Sequence, residues 1–134
     1  MSVKERLRAA RDAGAILRAV ERVLRSARIN IGVMGKNAET GQKKGISVSP
    51  TESQAIRLAS LEEKLTAYRD EWMDKTEDAV RLATDSRLSP REQAAMMAYY
   101  VAGETWEQTA VLVGVDTRTI YRIHGRALRK LSGA

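Results

Sequence analysis

Two stretches of apolar residues repeat at alternating intervals of three and four, and no other feature narrows the fold as much. Ala10, Ala13, Leu17, Val20, Leu24, Ala27 and Ile31 keep that rhythm. Leu58, Leu61, Leu65, Tyr68, Trp72, Lys75, Ala79 and Leu82 keep it again, with Lys75 the one polar member. Such spacing lays side chains along one stripe of an α-helix, a stripe that is stable only against a partner helix. Helix formers are abundant, Phe is absent and no useful length of sequence alternates as a strand would. The chain therefore reads as all-α, a long coiled-coil-like N-terminal hairpin followed by shorter helices.

If the two stripes fold back on each other, Leu24 meets Leu58, Leu17 meets Leu65 and Ala10 meets Trp72, small residues facing large ones. Charge favours the same pairing within one chain. Residues 1–30 carry eight Lys and Arg against three Asp and Glu, whereas residues 52–85 carry five against nine. Ile16 and Val23 widen the first stripe beyond what one partner covers, so a homodimer through the N-terminal helices is the competing arrangement. Between the stripes, four glycines with Lys36, Asn37, Lys43 and Lys44 bury too little apolar surface to offset ordering, and residues 32–48 read as a flexible linker. The expected organisation is a helical hairpin over 1–86 and a second domain over 87–134.

Composition excludes several classes. Without cysteine the chain can build neither a disulfide framework nor a thiolate zinc site, and its single histidine leaves no metal-ligand spacing. No run reaches the roughly 18 apolar residues of a membrane span, and Lys4, Glu5, Arg6 and Arg8 lead into no uninterrupted apolar core, so no membrane association and a cytoplasmic location are expected. A net charge of +6 and a pI near 9.9 point to a polyanionic partner. No phosphate-binding glycine loop or nucleophile elbow is present, so neither a cofactor nor enzymatic activity is expected. The carboxylates Glu62, Glu63, Asp70, Glu71, Asp74, Glu77 and Asp78 recur at helical spacing and read as a solvated or salt-bridged face.

Punctuation sharpens towards the C-terminus. Ser49-Pro50-Thr51-Glu52 and Ser89-Pro90-Arg91-Glu92 each place Pro at the first helical position after a Ser cap, with Glu able to complete a capping box. The helix begun at Ser89 should end at Gly103, Thr105 should cap a short helix from Trp106 to Val113, and Asp116 should cap a last helix reaching about Leu131. Ala110, Gly114 and Ile120 supply the small crossing residue, the tight turn and the apolar anchor of a helix-turn-helix.

These residues resemble a known family. Leu88-Ser-Pro-Arg-Glu, Tyr100, Gly103, Thr105-Trp106-Glu107, Ala110, Gly114-Val115-Asp116, Thr119-Ile120 and Arg126-Ala127-Leu128-Arg129-Lys130-Leu131 are similar to region 4 of bacterial sigma-70-type factors. Thr105-Trp106-Glu107-Gln108 with Tyr121-Arg122-Ile123-His124-Gly125-Arg126-Ala127-Leu128 more closely resembles the small phage and prophage transcriptional regulators of the RinA and ArpU type. Thr109, where Ile or Leu is usual, and Val111, where a polar residue is usual, depart from the pattern. The resemblance implies binding to double-stranded DNA and a role in late-gene transcription, with RNA polymerase a candidate partner of the N-terminal helices.

On the last helix, Ile120, Ile123, Ala127, Leu128 and Leu131 form the inward stripe, leaving Thr117, Arg118, Tyr121, Arg122 and Gly125 outward. Arg118 and Arg122 are expected to read bases in the major groove, with Thr117, Thr119 and Tyr121 beside them. Arg126, Arg129 and Lys130 are expected to meet phosphates, and Gly125 either lets the DNA backbone come close or is a tolerated defect in the helix. His124 reads as a packed or phosphate-bonding imidazole, Trp106 as a core wedge, and Trp72 and Tyr68 as seam residues. Two other functions compete: a DNA-packaging subunit resembling a small terminase, and a protein-interaction module that ignores DNA.

Overall fold

In a computed structural model, residues 1–39 and 52–133 are described, with side chains placed for 1–30 and 52–133. Among the described residues are five α-helices: α1 (Val3–Glu39), α2 (Glu52–Ala83), α3 (Pro90–Met96), α4 (Trp106–Val113) and α5 (Thr117–Leu131). A π-helical turn, Met97–Val101, continues α3. No strand occurs among the described residues, so the all-α expectation holds.

The α1 helix runs to Glu39, so residues 32–39 of the expected linker have helical backbone. Gly32 and Gly35 lower helix propensity by about 1 kcal/mol each but do not forbid the conformation, and the residues around them are ordinary helix participants. Residues 40–48 of that linker, and the Ser49-Pro50-Thr51 cap, lie outside the described residues.

The chain divides into two compact units, Met1–Ala15 with Asp70–Ala134, and Ile16–Arg69. This division differs from a boundary at residue 86, because the first turns of α1 and the last turns of α2 share a core with the C-terminal helices. In the Ile16–Arg69 unit, α1 and α2 run antiparallel: Glu21 pairs with Arg69 at 3.7 Å and Arg28 with Glu62 at 3.6 Å. Leu17, Leu24 and Leu65 are buried there. The ion pairs fall about two turns further along α2 than a Leu17–Leu65 apposition implies, an offset that long arginine side chains span in part.

In the other unit, Leu7 and Ala10 of α1 and Ala79 and Ala83 of α2 join Leu88, Met96, Tyr100, Ala127 and Leu131 in one core. Alanines at the crossing let the backbones approach, while Leu7 and Met96 fill the space beyond. Arg6 meets Asp78 in a two-pronged ion pair whose Nε bond is 2.9 Å. The Arg6 hydrogen bond holds the Asp78 carboxyl below its usual range.

Arg11 ties α1 to the end of α3. Its guanidinium donates to the Tyr99 carbonyl and, at 2.9 Å, to the Glu104 carbonyl, and it lies 3.9 Å over the Tyr99 ring. Carbonyls near a helix C-terminus lack intrahelical partners and carry the negative end of the helix dipole, so a cation there satisfies both. Nothing in the local sequence marks Arg11 for this role, which depends on residues about ninety positions away.

Candidate nucleic-acid interface

The helix-turn-helix is built from three caps and a left-handed glycine. Ser89 accepts from the Glu92 N–H, and Glu92 Oε1 accepts in return from the Ser89 N–H at 2.8 Å, with Pro90 opening α3. Thr105 and Gln108 close a second capping box on α4. Asp116 caps α5 by accepting from the Thr119 N–H at 2.8 Å. These three helix starts anticipated from the sequence are present.

Gly114 has φ 84°, a conformation that L side chains rarely adopt, and the N–H groups of Gly114 and Val115 both reach the Ala110 carbonyl at 2.9 Å. That geometry turns the chain from α4 into α5 within three residues. Gly103, with φ 77°, likewise ends the preceding helical segment. Ala95, Ala110, Ile120 and Ile123 form a closed core under the turn, flanked by Trp106, Val113 and Val115. Thr109 is fully buried, and its hydroxyl has no hydrogen-bond partner among the described residues. A hydroxyl thus occupies a site that an aliphatic side chain would fill without desolvation cost.

The α5 helix buries Ile120, Ile123, Ala127 and Leu131, with Leu128 only half-buried. Thr117, Arg118, Tyr121, Arg122, Arg126 and Arg129 are exposed, and Thr119 and Gly125 partly so. None of the four arginines is engaged in an ion pair among the described residues. Lys130 differs from its neighbours: its ammonium donates at 2.7 Å to Glu92 Oε1, whose side chain is 2% exposed. An ammonium compensating a buried carboxylate serves the fold, so Lys130, unlike the four arginines, is already paired. Burial pushes the Glu92 carboxyl up, but the Lys130 and Ser89 hydrogen bonds outweigh it and leave the group below its ordinary value.

An aromatic cluster braces the α4–α5 corner. Trp106 stacks on Tyr99 with ring centres 3.7 Å apart, and Tyr121 and His124 meet the indole at 5.4 and 4.6 Å. The π-helical turn explains how Tyr99 and Tyr100, adjacent in sequence, both point into this cluster: the Ala102 N–H reaches back five residues to Met97, and the extra residue in the turn narrows the angle between successive side chains. His124 Nε2 lies 2.7 Å from the Tyr100 hydroxyl. Burial, assisted by the Lys4 charge, lowers the imidazole to about 4, so the ring is neutral at physiological pH. The expectation of a packed histidine is met, with a partner that spacing alone did not indicate.

A tight helix pair with a cationic second helix held proud of a trihelical core is the architecture of a DNA-binding module. Residues 86–132 match the family model of sigma-70, region 4, a span well under half of the chain's 134 residues. That span is a helix-turn-helix domain of the DNA-binding kind. Comparison with curated proteins and with solved structures gave no match. No helix among the described residues is long and apolar enough to cross a membrane.

Proposed function

We propose that this protein is a sequence-specific, double-stranded DNA-binding transcriptional regulator that inserts α5 into the major groove and acts by binding rather than by catalysis. The observation that carries this reading is the outward flank of α5, where Thr117, Arg118, Tyr121 and Arg122 are exposed on a helix whose opposite side is seated by Ile120 and Ile123. Arg118 and Arg122 stand one turn apart at the N-terminal end, the part of a recognition helix that meets base edges, and guanidinium forks pair with guanine. Arg126 and Arg129 follow toward the C-terminus, where phosphate contacts hold register.

The similarity of residues 105–108 and 121–128 to phage and prophage regulators of the RinA and ArpU type supports a role in phage late-gene transcription, with the N-terminal helices engaging RNA polymerase or a second copy of the chain. Exposed Val111 and Leu112 on α4 favour an additional protein contact, since adjacent apolar side chains 79% and 65% exposed gain most when a partner covers them.

Selection of bound duplexes from a random pool, repeated across a salt series, tests the reading. A sequence preference with a steep salt dependence is the expected result. Retention of cognate affinity by Arg118→Glu with Arg122→Glu would dismiss α5 as the recognition helix.

A further inference from the structure

The first turns of α1 carry four cations, and their fates divide sharply. Arg6 is held by Asp78 and Arg11 by the carbonyls of Tyr99 and Glu104. Lys4 and Arg8, one turn apart on the same face, are exposed and join no ion pair among the described residues. Both line an open cleft of about 300 Å³ whose other wall is Trp106, the first residue of α4, with Tyr121 and His124 of α5. Asp12, a further turn along α1, is the one carboxylate on the cleft.

We infer that Lys4 and Arg8 form a second arm of the DNA interface, gripping phosphates of the strand that borders the major groove entered by α5. The inference rests on the DNA-binding reading and extends it to a helix outside the region-4 span. When a recognition helix lies in the groove, the preceding helix crosses the adjacent backbone. In this fold the start of α4 and Tyr121 form one wall of the cleft, so a strand crossing α4 passes its mouth. Two unpaired cations on the facing wall complement that strand's charge, and the cleft is continuous with the exposed flank of α5. Contacts of this kind supply affinity and orientation without base preference.

The test is duplex binding by the full chain, followed by fluorescence anisotropy from about 50 to about 200 mM salt, with a selected duplex and an unrelated one. Lys4→Ala with Arg8→Ala is expected to weaken binding to both duplexes about tenfold at the low-salt end and to reduce the salt slope by about 2, while the preference between them is unchanged. Arg18→Ala with Arg25→Ala, which removes the same charge from exposed positions elsewhere on α1, is expected to leave the slope as it was. Lys4→Arg with Arg8→Lys keeps both charges and should keep the wild-type slope, which guards against a folding effect of the alanine pair. An unchanged slope in the alanine pair, or an equal loss in the Arg18 and Arg25 control, overturns the second arm and leaves the recognition helix standing. Failure of the wild-type chain to bind any duplex overturns both.

Discussion

The Tyr100 hydroxyl and the His124 Nε2, 2.7 Å apart, join the π-helical turn after α3 to the middle of α5. The bond holds α5 from its inner side while Thr117, Arg118, Tyr121 and Arg122 remain outside. Burial lowers the imidazole to about 4 and raises the Tyr100 phenol to about 12, so neither partner ionises near neutrality.

Stability should therefore fall with acid in a defined window. The folded-state value of His124, about 4, lies below the ordinary 6.5, so the unfolded chain takes up the proton first. The stabilisation is complete above about 6.5 and drains away as pH falls toward about 4, by on the order of 1 to 2 kcal/mol for a half-buried ring. Thermal melting across that range measures it, and His124→Gln should flatten the profile.

The Glu92–Lys130 pair makes a prediction of the same sign in the wild type and of the opposite sign once the lysine is removed. In the wild type the depressed Glu92 carboxyl contributes stability above its unfolded value that is lost as pH falls through the lower folded one. Lys130→Met strands the carboxylate with its Oε2 already unpartnered, and should cost about 2 kcal/mol at neutral pH, less than a fully enclosed pair because the lysine end reaches solvent. Stripped of its cation, Glu92 titrates upward, so chemical denaturation should find this variant gaining stability as the buffer is acidified toward the carboxylate range.

Thr109→Val should stabilise the helix-turn-helix by about 1 kcal/mol, because the shape is kept and an unpaired buried hydroxyl is removed. Urea denaturation is the measurement. A loss of stability would mean that the hydroxyl has a partner, such as a water, that repays its burial.

Gly125→Ala separates folding from binding. An added Cβ would sit 3.6 Å from an Arg129 guanidinium nitrogen, an ordinary contact, and the helix interior should gain about 0.5 to 1 kcal/mol. Under the proposed groove entry, affinity for duplex DNA should nevertheless fall, since the partly exposed glycine shares the α5 flank with Tyr121 and Arg122. A variant with higher melting temperature and undiminished binding would remove Gly125 from the interface.

Much of this was written locally. Helix ends at Ser89, Thr105 and Asp116, the turn at Gly114 and the buried set Ala110, Ile120 and Ile123 follow from interactions spanning only a few residues, such as a cap oxygen three positions from its N–H or an apolar stripe of one period. The exposed face of α5 is legible for the same reason, being what that stripe leaves over. Lys130 lay beyond such reasoning because its charge is indistinguishable in sequence from that of Arg126 and Arg129 until Glu92, thirty-eight positions away, is brought beneath it. Arg6, Arg11, Lys4 and Arg8 look equivalent along the chain, yet folding assigns two to structural partners and leaves two open on the cleft beside Tyr121 and His124. Local chemistry sets the elements and their faces, whereas which charges are neutralised depends on distances between segments that only the assembled core determines.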